Sequence, residues 1–215
     1  MSWTGVHGVL NIVIVGVGGQ GIITAAKVLS EAAMRAGHRV LVAETHGLSQ
    51  RGGSVIVHVR LGRSVEAPLV PRGRADLMIA MEVIEALRYA DYLNQDGYII
   101  VDRQVIPPPL PGIGYIGLDE MLSGLRSLGS RVYDVDASKT AIEYGEPRAV
   151  NMYLLGFTAG LNGYKGMISI DDLRSAVSEA MRNAEVNLRV LERGYRDALT
   201  HNSRSALGRT SIEMN

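Results

Sequence analysis

GVGGQG, from Gly16 to Gly21, lies between two runs whose structure is legible from their pattern. Before it, LNIVIV (Leu10 to Val15) is short, β-branched and without a polar side, which predicts a strand covered on both faces. After it, ITAAKVLSEAAMRAG (Ile22 to Gly37) is alanine-rich, has apolar residues at helical spacing and stops on a glycine, which predicts a helix. Val40 to Ala43 predicts a second buried strand. Strand, glycine turn, helix and strand in sequence predict a βαβ unit, with its two strands paired in parallel through a right-handed crossover.

The pattern continues to alternate. SVIVHVRLG (Ser54 to Gly62) has a period of two, with Val55, Val57, Val59 and Leu61 on a covered face and Ile56, His58 and Arg60 on a more open one. Further strands are expected at Ala75 to Ala80, Tyr98 to Val101, Ile113 to Ile116 and Arg131 to Val135. Helices are expected from Glu82 to Leu93, from Asp119, after Asp136 or Ser138 as cap, after Pro147, and from Ile170 to Leu199. Asp96-Gly97 reads as a turn, and PPPLPG (Pro107 to Gly112) as a stiff connector. The fold class is therefore α/β: a Rossmann-like three-layer domain with a mainly parallel sheet and a long C-terminal helix. It is expected to fill residues 1–200 as a single domain, followed by a flexible C-terminal tail over 201–215.

Two loops carry the chemistry. Gly16, Gly18 and Gly21 satisfy G-x-G-x-x-G, where missing side chains allow a tight turn and let a phosphate approach the N–H groups at a helix start. Glu44 ends the next strand, where a dinucleotide-binding protein places its ribose acid. The other reading of these glycines is close packing of helix on sheet. The second loop, ETHGLSQRGGS (Glu44 to Ser54), follows at once and crowds the space an adenosine would need. In it, Ser49, Gln50, Arg51 and the Gly52-Gly53 amides could bind a carboxylate or diphosphate, or shape a turn against a partner protein. His46 is a candidate acid or base, although a loop histidine commonly serves only as a hydrogen-bonding group. His58, inside a strand, reads as packing or interface. In RAVNMYLLGFTAG, Asn151 is a polar side chain between Val150 and Met152, either a ligand contact or a satisfied buried amide, with Arg148 nearby. Gly156 and Gly160 would let another element come close.

Several functions are excluded. The chain has no cysteine, so it alone can build no disulfide, thiolate nucleophile or cysteine-held iron–sulfur cluster. It shows no H-E-x-x-H, no lysine in the glycine loop and no G-x-S-x-G, and no metal ligand set is assigned. Lys plus Arg and Asp plus Glu number 22 each, which gives no general electrostatic reason to bind nucleic acid or a membrane surface. The start MSWTGVHGVLN lacks the pattern of a signal peptide, and the cytoplasm is the expected location.

GVGGQGIITAAKVLSEAA, ETHGLSQRGGSVIVHVRLG and the helix carrying NMYLLG together resemble the gamma domain of the 2-oxoacid:ferredoxin oxidoreductases, over roughly Leu10 to Leu199. The resemblance implies a subunit of an enzyme that converts aryl 2-oxoacids, such as indolepyruvate, to acyl-CoA while reducing ferredoxin. It implies that thiamine diphosphate, Mg²⁺ and [4Fe–4S] clusters sit on a large alpha subunit, the main partner. It further implies that Gly16, Gly18, Gly19, Gln20 and Gly21 face the diphosphate of coenzyme A, with Asn151 as a polar contact. The loop with Glu44, His46, Ser49, Gln50, Arg51, Gly52, Gly53 and Ser54 would then lie against the alpha subunit, with Arg51 supporting the closed site. Two alternatives stand beside this: an independent NAD(P)- or flavin-binding dehydrogenase domain, and a structural binding module.

Overall fold

The computed structural model describes residues 8–46, 52–107, 114, 116–128 and 131–210. Its six strands are β1 (Val9–Val17), β2 (Arg39–His46), β3 (Ser54–Gly62), β4 (Ala75–Ala80), β5 (Leu93–Asp102) and β6 (Arg131–Val135). The helices are α1 (Ile22–Arg35), α2 (Val83–Arg88), α3 (Leu118–Ser127), α4 (Ala137–Glu143), α5 (Val150–Gly160), α6 (Ile170–Ala180) and α7 (Ala184–Thr210). One sheet runs in the order β2-β3-β1-β4-β5-β6.

β1, β4, β5 and β6 pair in parallel. The first βαβ expectation needs correction. β1 and β2 do run the same way, but β3 lies between them, antiparallel to both. The reason is the length of the link from β2 to β3: residues 47–53 are too few for the crossover that a parallel neighbour needs, so β3 must return beside β2. It then offers its other edge to β1 over the whole register from Val9↔Gly62 to Val17↔Ser54.

β1 shows why the sheet is covered twice. Ile12 and Ile14 enter one apolar cluster with α1, α5, α6 and α7, while Val13 and Val15 enter a second with α2 and α3. All four are fully buried, each stabilising the fold by about 1.5–3 kcal/mol relative to exposure. The result is three layers. β3 differs from its expected open face, since Ile56 and His58 are buried as well. His58 Nδ1 accepts from the Val70 N–H at 3.4 Å, and its ring meets Tyr92 edge-on, so the 63–74 connection covers that side.

Other boundaries shift for local reasons. The helix expected to reach Leu93 stops at Arg88, and a 3₁₀ turn at Ala90–Tyr92 leads into β5. Asp96-Gly97 falls inside β5, where the ladder jumps from Ala75↔Leu93 to Leu77↔Tyr98 as an irregularity. Gly114 and Ile116 are not in a strand, and the rest of that expected strand and most of PPPLPG lie outside the described residues. The single helix expected from Ile170 is two helices, broken at Met181, whose backbone is extended. α7 then continues to Thr210, into the expected tail.

α5 and α7 meet backbone to backbone. A Cβ on Gly156 would lie 2.0 Å from Leu191 O, and one on Gly194 2.1 Å from Tyr153 O, so only glycine permits this approach. No helix among the described residues is long and apolar enough to cross a membrane.

Candidate functional site

Every candidate residue that is described lies on one edge of the sheet, or on α5 against it. β1, β2, β4, β5 and β6 end there and β3 begins there. In α/β sheets this edge, beside the point where strand order switches direction, is where ligands bind. The glycine turn connects β1 to α1 at this edge. Gly16 has no room for a side chain: its Cβ would lie 2.7 Å from Gln20 Oε1 and 2.8 Å from Met81 Cβ. Gly19 (φ 108) and Gly21 (φ 79) have positive φ, and Gly21 is the residue that starts α1. No side chain caps α1, so its first-turn N–H groups, which have no helical acceptor, point toward the edge.

Gln20 corrects one expectation. Its side chain turns inward: Oε1 accepts from the Val17 N–H at 2.7 Å, and Nε2 donates to Met81 O and to Gln104 Oε1, both at 3.2 Å. It braces the turn and does not itself face an anion. Gly19 is the exposed member of the turn, and a Cβ there would meet nothing within 4 Å.

The second loop is joined to the first. Gly18 N–H donates to Gly53 O at 2.8 Å and Gly52 N–H donates to Gly18 O at 3.2 Å, extending the β1–β3 ladder past its strands. The Gly52 amide is thus committed within the chain and unavailable to an anion. Ser54 also faces inward, donating to Glu85 and lying 2.8 Å from the Tyr89 hydroxyl. Ser49, Gln50 and Arg51 lie outside the described residues, as does the His46 side chain; the backbone of His46 closes β2 opposite Val55.

Glu44 is exposed on the outer strand β2. Because β3 intervenes, β2 stands two strand spacings, about 10 Å, from β1, where a dinucleotide fold would have the acid-bearing strand adjacent. Glu44 nevertheless lines a cleft of about 470 Å³ with Gly18, Gly19, Gly21, Ile23 and Val55. On the other side of the turn a cleft of about 530 Å³ is lined by Gly19, Gly21, Asn151, Arg148, Arg182 and Asn183. The break between α6 and α7 supplies the last two, and reading one continuous helix there concealed it.

Asn151 is 2% exposed. Its Nδ2 donates to Gly21 O at 3.0 Å and its Oδ1 accepts from the Met152 N–H at 2.9 Å. The buried amide therefore supports the turn from behind, its edge reaching the cleft. Arg148 is exposed and donates to Glu146 at 3.1 Å, a bond that holds the Glu146 carboxyl below its usual range.

Of the four buried carboxylates among the described residues, the three nearest this edge, Glu82, Glu85 and Asp102, went unrecognised in the sequence. Glu82 caps α2, accepting from Ile84 N–H at 2.9 Å and Glu85 N–H. Asp102 accepts from Ser138 N–H at 3.1 Å and from the Ser138 hydroxyl, and so takes the part expected of Asp136, whose side chain makes no cap. Burial raises both of these acids. Glu85 takes Ser54 and Arg88. The available signal was an acid directly after a wholly apolar strand, as in LMIAME and YIIVD. Among the described residues no group of three or more His, Asp or Glu is arranged to hold a metal ion.

The profile of the pyruvate ferredoxin/flavodoxin oxidoreductase family matches residues 11–197, which takes in both loops and the whole sheet. The chain belongs to this family. It is a small subunit of a 2-oxoacid oxidoreductase. It is 46% identical to the indolepyruvate oxidoreductase subunit IorB of Archaeoglobus fulgidus, over 89% of this chain and 96% of that one. The keto/oxoacid ferredoxin oxidoreductase gamma subunit of Geobacter sulfurreducens has the same fold, with a TM-score of 0.66 at 20% identity over 89% of this chain and 99% of that one. The 2-oxoglutarate:ferredoxin oxidoreductase of Magnetococcus marinus, solved with 2-oxoglutarate, coenzyme A and succinyl-CoA, gives a TM-score of 0.69 at 22% identity. That match covers 91% of this chain but 32% of the larger one.

Proposed function

We propose that the chain is the small (beta) subunit of an indolepyruvate-type oxidoreductase, which turns an aryl 2-oxoacid, coenzyme A and oxidised ferredoxin into aryl-acetyl-CoA, CO₂ and reduced ferredoxin. Its partner is a large alpha subunit, and its own task is to hold the diphosphate of coenzyme A at the glycine turn and to close the site. The observation that carries this reading is the turn at Gly19, which is exposed, and Gly21, set between two clefts at the start of an uncapped helix. An anion there meets backbone N–H groups at the positive end of the helix. The 46% identity to an indolepyruvate oxidoreductase subunit supports the substrate class, and the coenzyme A in the Magnetococcus marinus enzyme supports the ligand.

The residues fit the anion. Gly19 leaves open space over the turn, and Arg182 brings positive charge to one flank, where Arg148 is paired with Glu146. With no cysteine, this chain cannot itself ligate an iron–sulfur cluster through thiolates, so the clusters are assigned to the alpha subunit with thiamine diphosphate and Mg²⁺. Thiamine diphosphate supplies the carbanion chemistry there. What this chain contributes is position: Gln20, Asn151 and Gly53 hold the turn rigid from three sides, so that coenzyme A is bound in one orientation and the site is shielded from water.

Gly19→Asp in the assembled complex tests this. At φ 108 any side chain strains the backbone, so Gly19→Ala is measured alongside as the uncharged control, while aspartate also sets a carboxylate beside the diphosphate. KM for coenzyme A should rise about tenfold or more, with KM for the 2-oxoacid unchanged. An unaltered coenzyme A KM in an intact complex would remove the turn from the binding site. Saturable NAD or flavin binding by the isolated chain would favour the dehydrogenase reading instead.

A further inference from the structure

We propose that Gln104, on the loop after β5, is a substrate-binding residue whose side-chain NH₂ donates to an anionic oxygen of the ligand beside the glycine turn. The proposal rests on the reading that this turn faces a substrate.

The orientation of Gln104 follows from a chain of bonds that starts in the backbone. The Val17 N–H can only donate, so the Gln20 atom 2.7 Å from it is the oxygen. Gln20 Nε2 then points the other way and meets Met81 O, which can only accept. The same Nε2 lies 3.2 Å from Gln104, which must therefore present its oxygen. The Ser138 hydroxyl lies 3.4 Å from that same oxygen but gives its single proton to Asp102, so the orientation is set by Gln20. Gln104 cannot flip without setting two NH₂ groups against each other. Its NH₂ is left at the outer end, and among the described residues it donates no hydrogen bond.

The backbone of Gln104 is fixed too, since its carbonyl accepts from the Val83 N–H at 3.0 Å at the start of α2. Exposed glutamines ordinarily keep their rotamer freedom, because ordering a long side chain is entropically costly. This one is exposed yet held at both ends, at the edge where the parallel strands deliver their ligands. Two acids close to this loop, Asp102 two residues before it and Glu82 beside the Val83 that bonds its carbonyl, are buried and face backbone N–H groups. The donor thus stands beside the turn with no acceptor among the described residues. Two substrates carry a suitable oxygen: the phosphates of coenzyme A and the carboxylate of the 2-oxoacid.

Gln104→Glu in the assembled complex separates binding from bracing. A glutamate keeps an oxygen for Gln20 but replaces the outer donor with a charged acceptor. The expected result is a KM raised about tenfold or more, at near-normal saturated turnover and an unchanged Tm. Which KM rises, that of coenzyme A or of the 2-oxoacid, identifies the oxygen. Gln104→Met loses both ends and serves as the second variant. Binding predicts that both variants weaken the substrate, Gln104→Glu more. If Gln104→Met is impaired while Gln104→Glu matches the wild type, Gln104 only braces the turn and the proposal falls. Gly19→Asp is measured alongside. If it raises the coenzyme A KM and Gln104→Glu raises neither, the turn stands and Gln104 is excluded; if neither variant changes a KM, both readings are overturned.

Discussion

Asn151→Asp should loosen the glycine turn from behind, and its effect can be worked from two hydrogen bonds. In the native chain the Nδ2 donor meets Gly21 O at 3.0 Å and the side chain is 2% exposed. Aspartate has the same shape, accepts the Met152 N–H as before, and sets a second oxygen against the Gly21 carbonyl. The lost bond removes about 1 kcal/mol, and burying a carboxylate against a carbonyl adds to it, for a total of about 2–4 kcal/mol. In a domain of this size that lowers Tm by about 4–16 °C. Burial holds the new carboxyl above its unfolded pKa, so the folded state binds the extra proton. The variant therefore regains stability as pH falls through that raised value, because the introduced carboxyl, once protonated, can again donate to Gly21 O. Thermal unfolding followed by circular dichroism, at pH 8 and at stepped lower values, reads both effects. A Tm equal to wild type at pH 8, or a difference that does not shrink toward acid, would refute the bracing role of Asn151.

Other outcomes follow from the same packing. Gly156→Ala should destabilise by about 1–3 kcal/mol or more, despite alanine's better helix propensity, since its Cβ would sit 2.0 Å from Leu191 O; a urea midpoint at or above wild type would contradict the contact. Lys165 is 12% exposed beside Asp76 at 3.4 Å, and burial lowers its pKa from 10.5 to about 8. Below pH 8 both folded and unfolded states carry the proton and the charge is penalised by burial; between pH 8 and 10.5 the unfolded state binds more protons, so stability rises with pH. Relative to Lys165→Met, wild type should gain up to about 3 kcal/mol across that window, and parallel stability curves for the two proteins would dismiss the shift.

Much of the architecture was readable from local pattern, because its signals are local. Leu10 to Val15, the glycine turn and the helix to Arg35 carry their own burial, turn and periodicity information within a few residues. The place of β3 is different. Val55, Val57 and Val59 announce a strand, but nothing in their alternation says which neighbour they will pair with, and the intrusion between β1 and β2 is a property of the whole sheet. The break at Met181 has no proline or glycine to mark it. In the site, the glycines were legible because each carries a conformational demand of its own. Gln20, Ser54 and Asn151 were seen as polar positions, but their direction was not, since it is set by Met81, Glu85 and Gly21, the last 130 residues from Asn151. Asp102 was missed for the same reason, since its partner Ser138 arrives from another element, whereas Glu82 caps its own helix and only its Ile106 contact is remote.

The most direct measurement is a structure of the two-subunit complex with coenzyme A bound. A phosphate oxygen should lie within hydrogen-bonding distance of the backbone N–H groups of Gly19, Gly21 or Ile22, with Gln104 at the rim; the Gln20 N–H is already given to Val17 O. Coenzyme A lying wholly on the large subunit, with the glycine turn facing only protein, would contradict this placement.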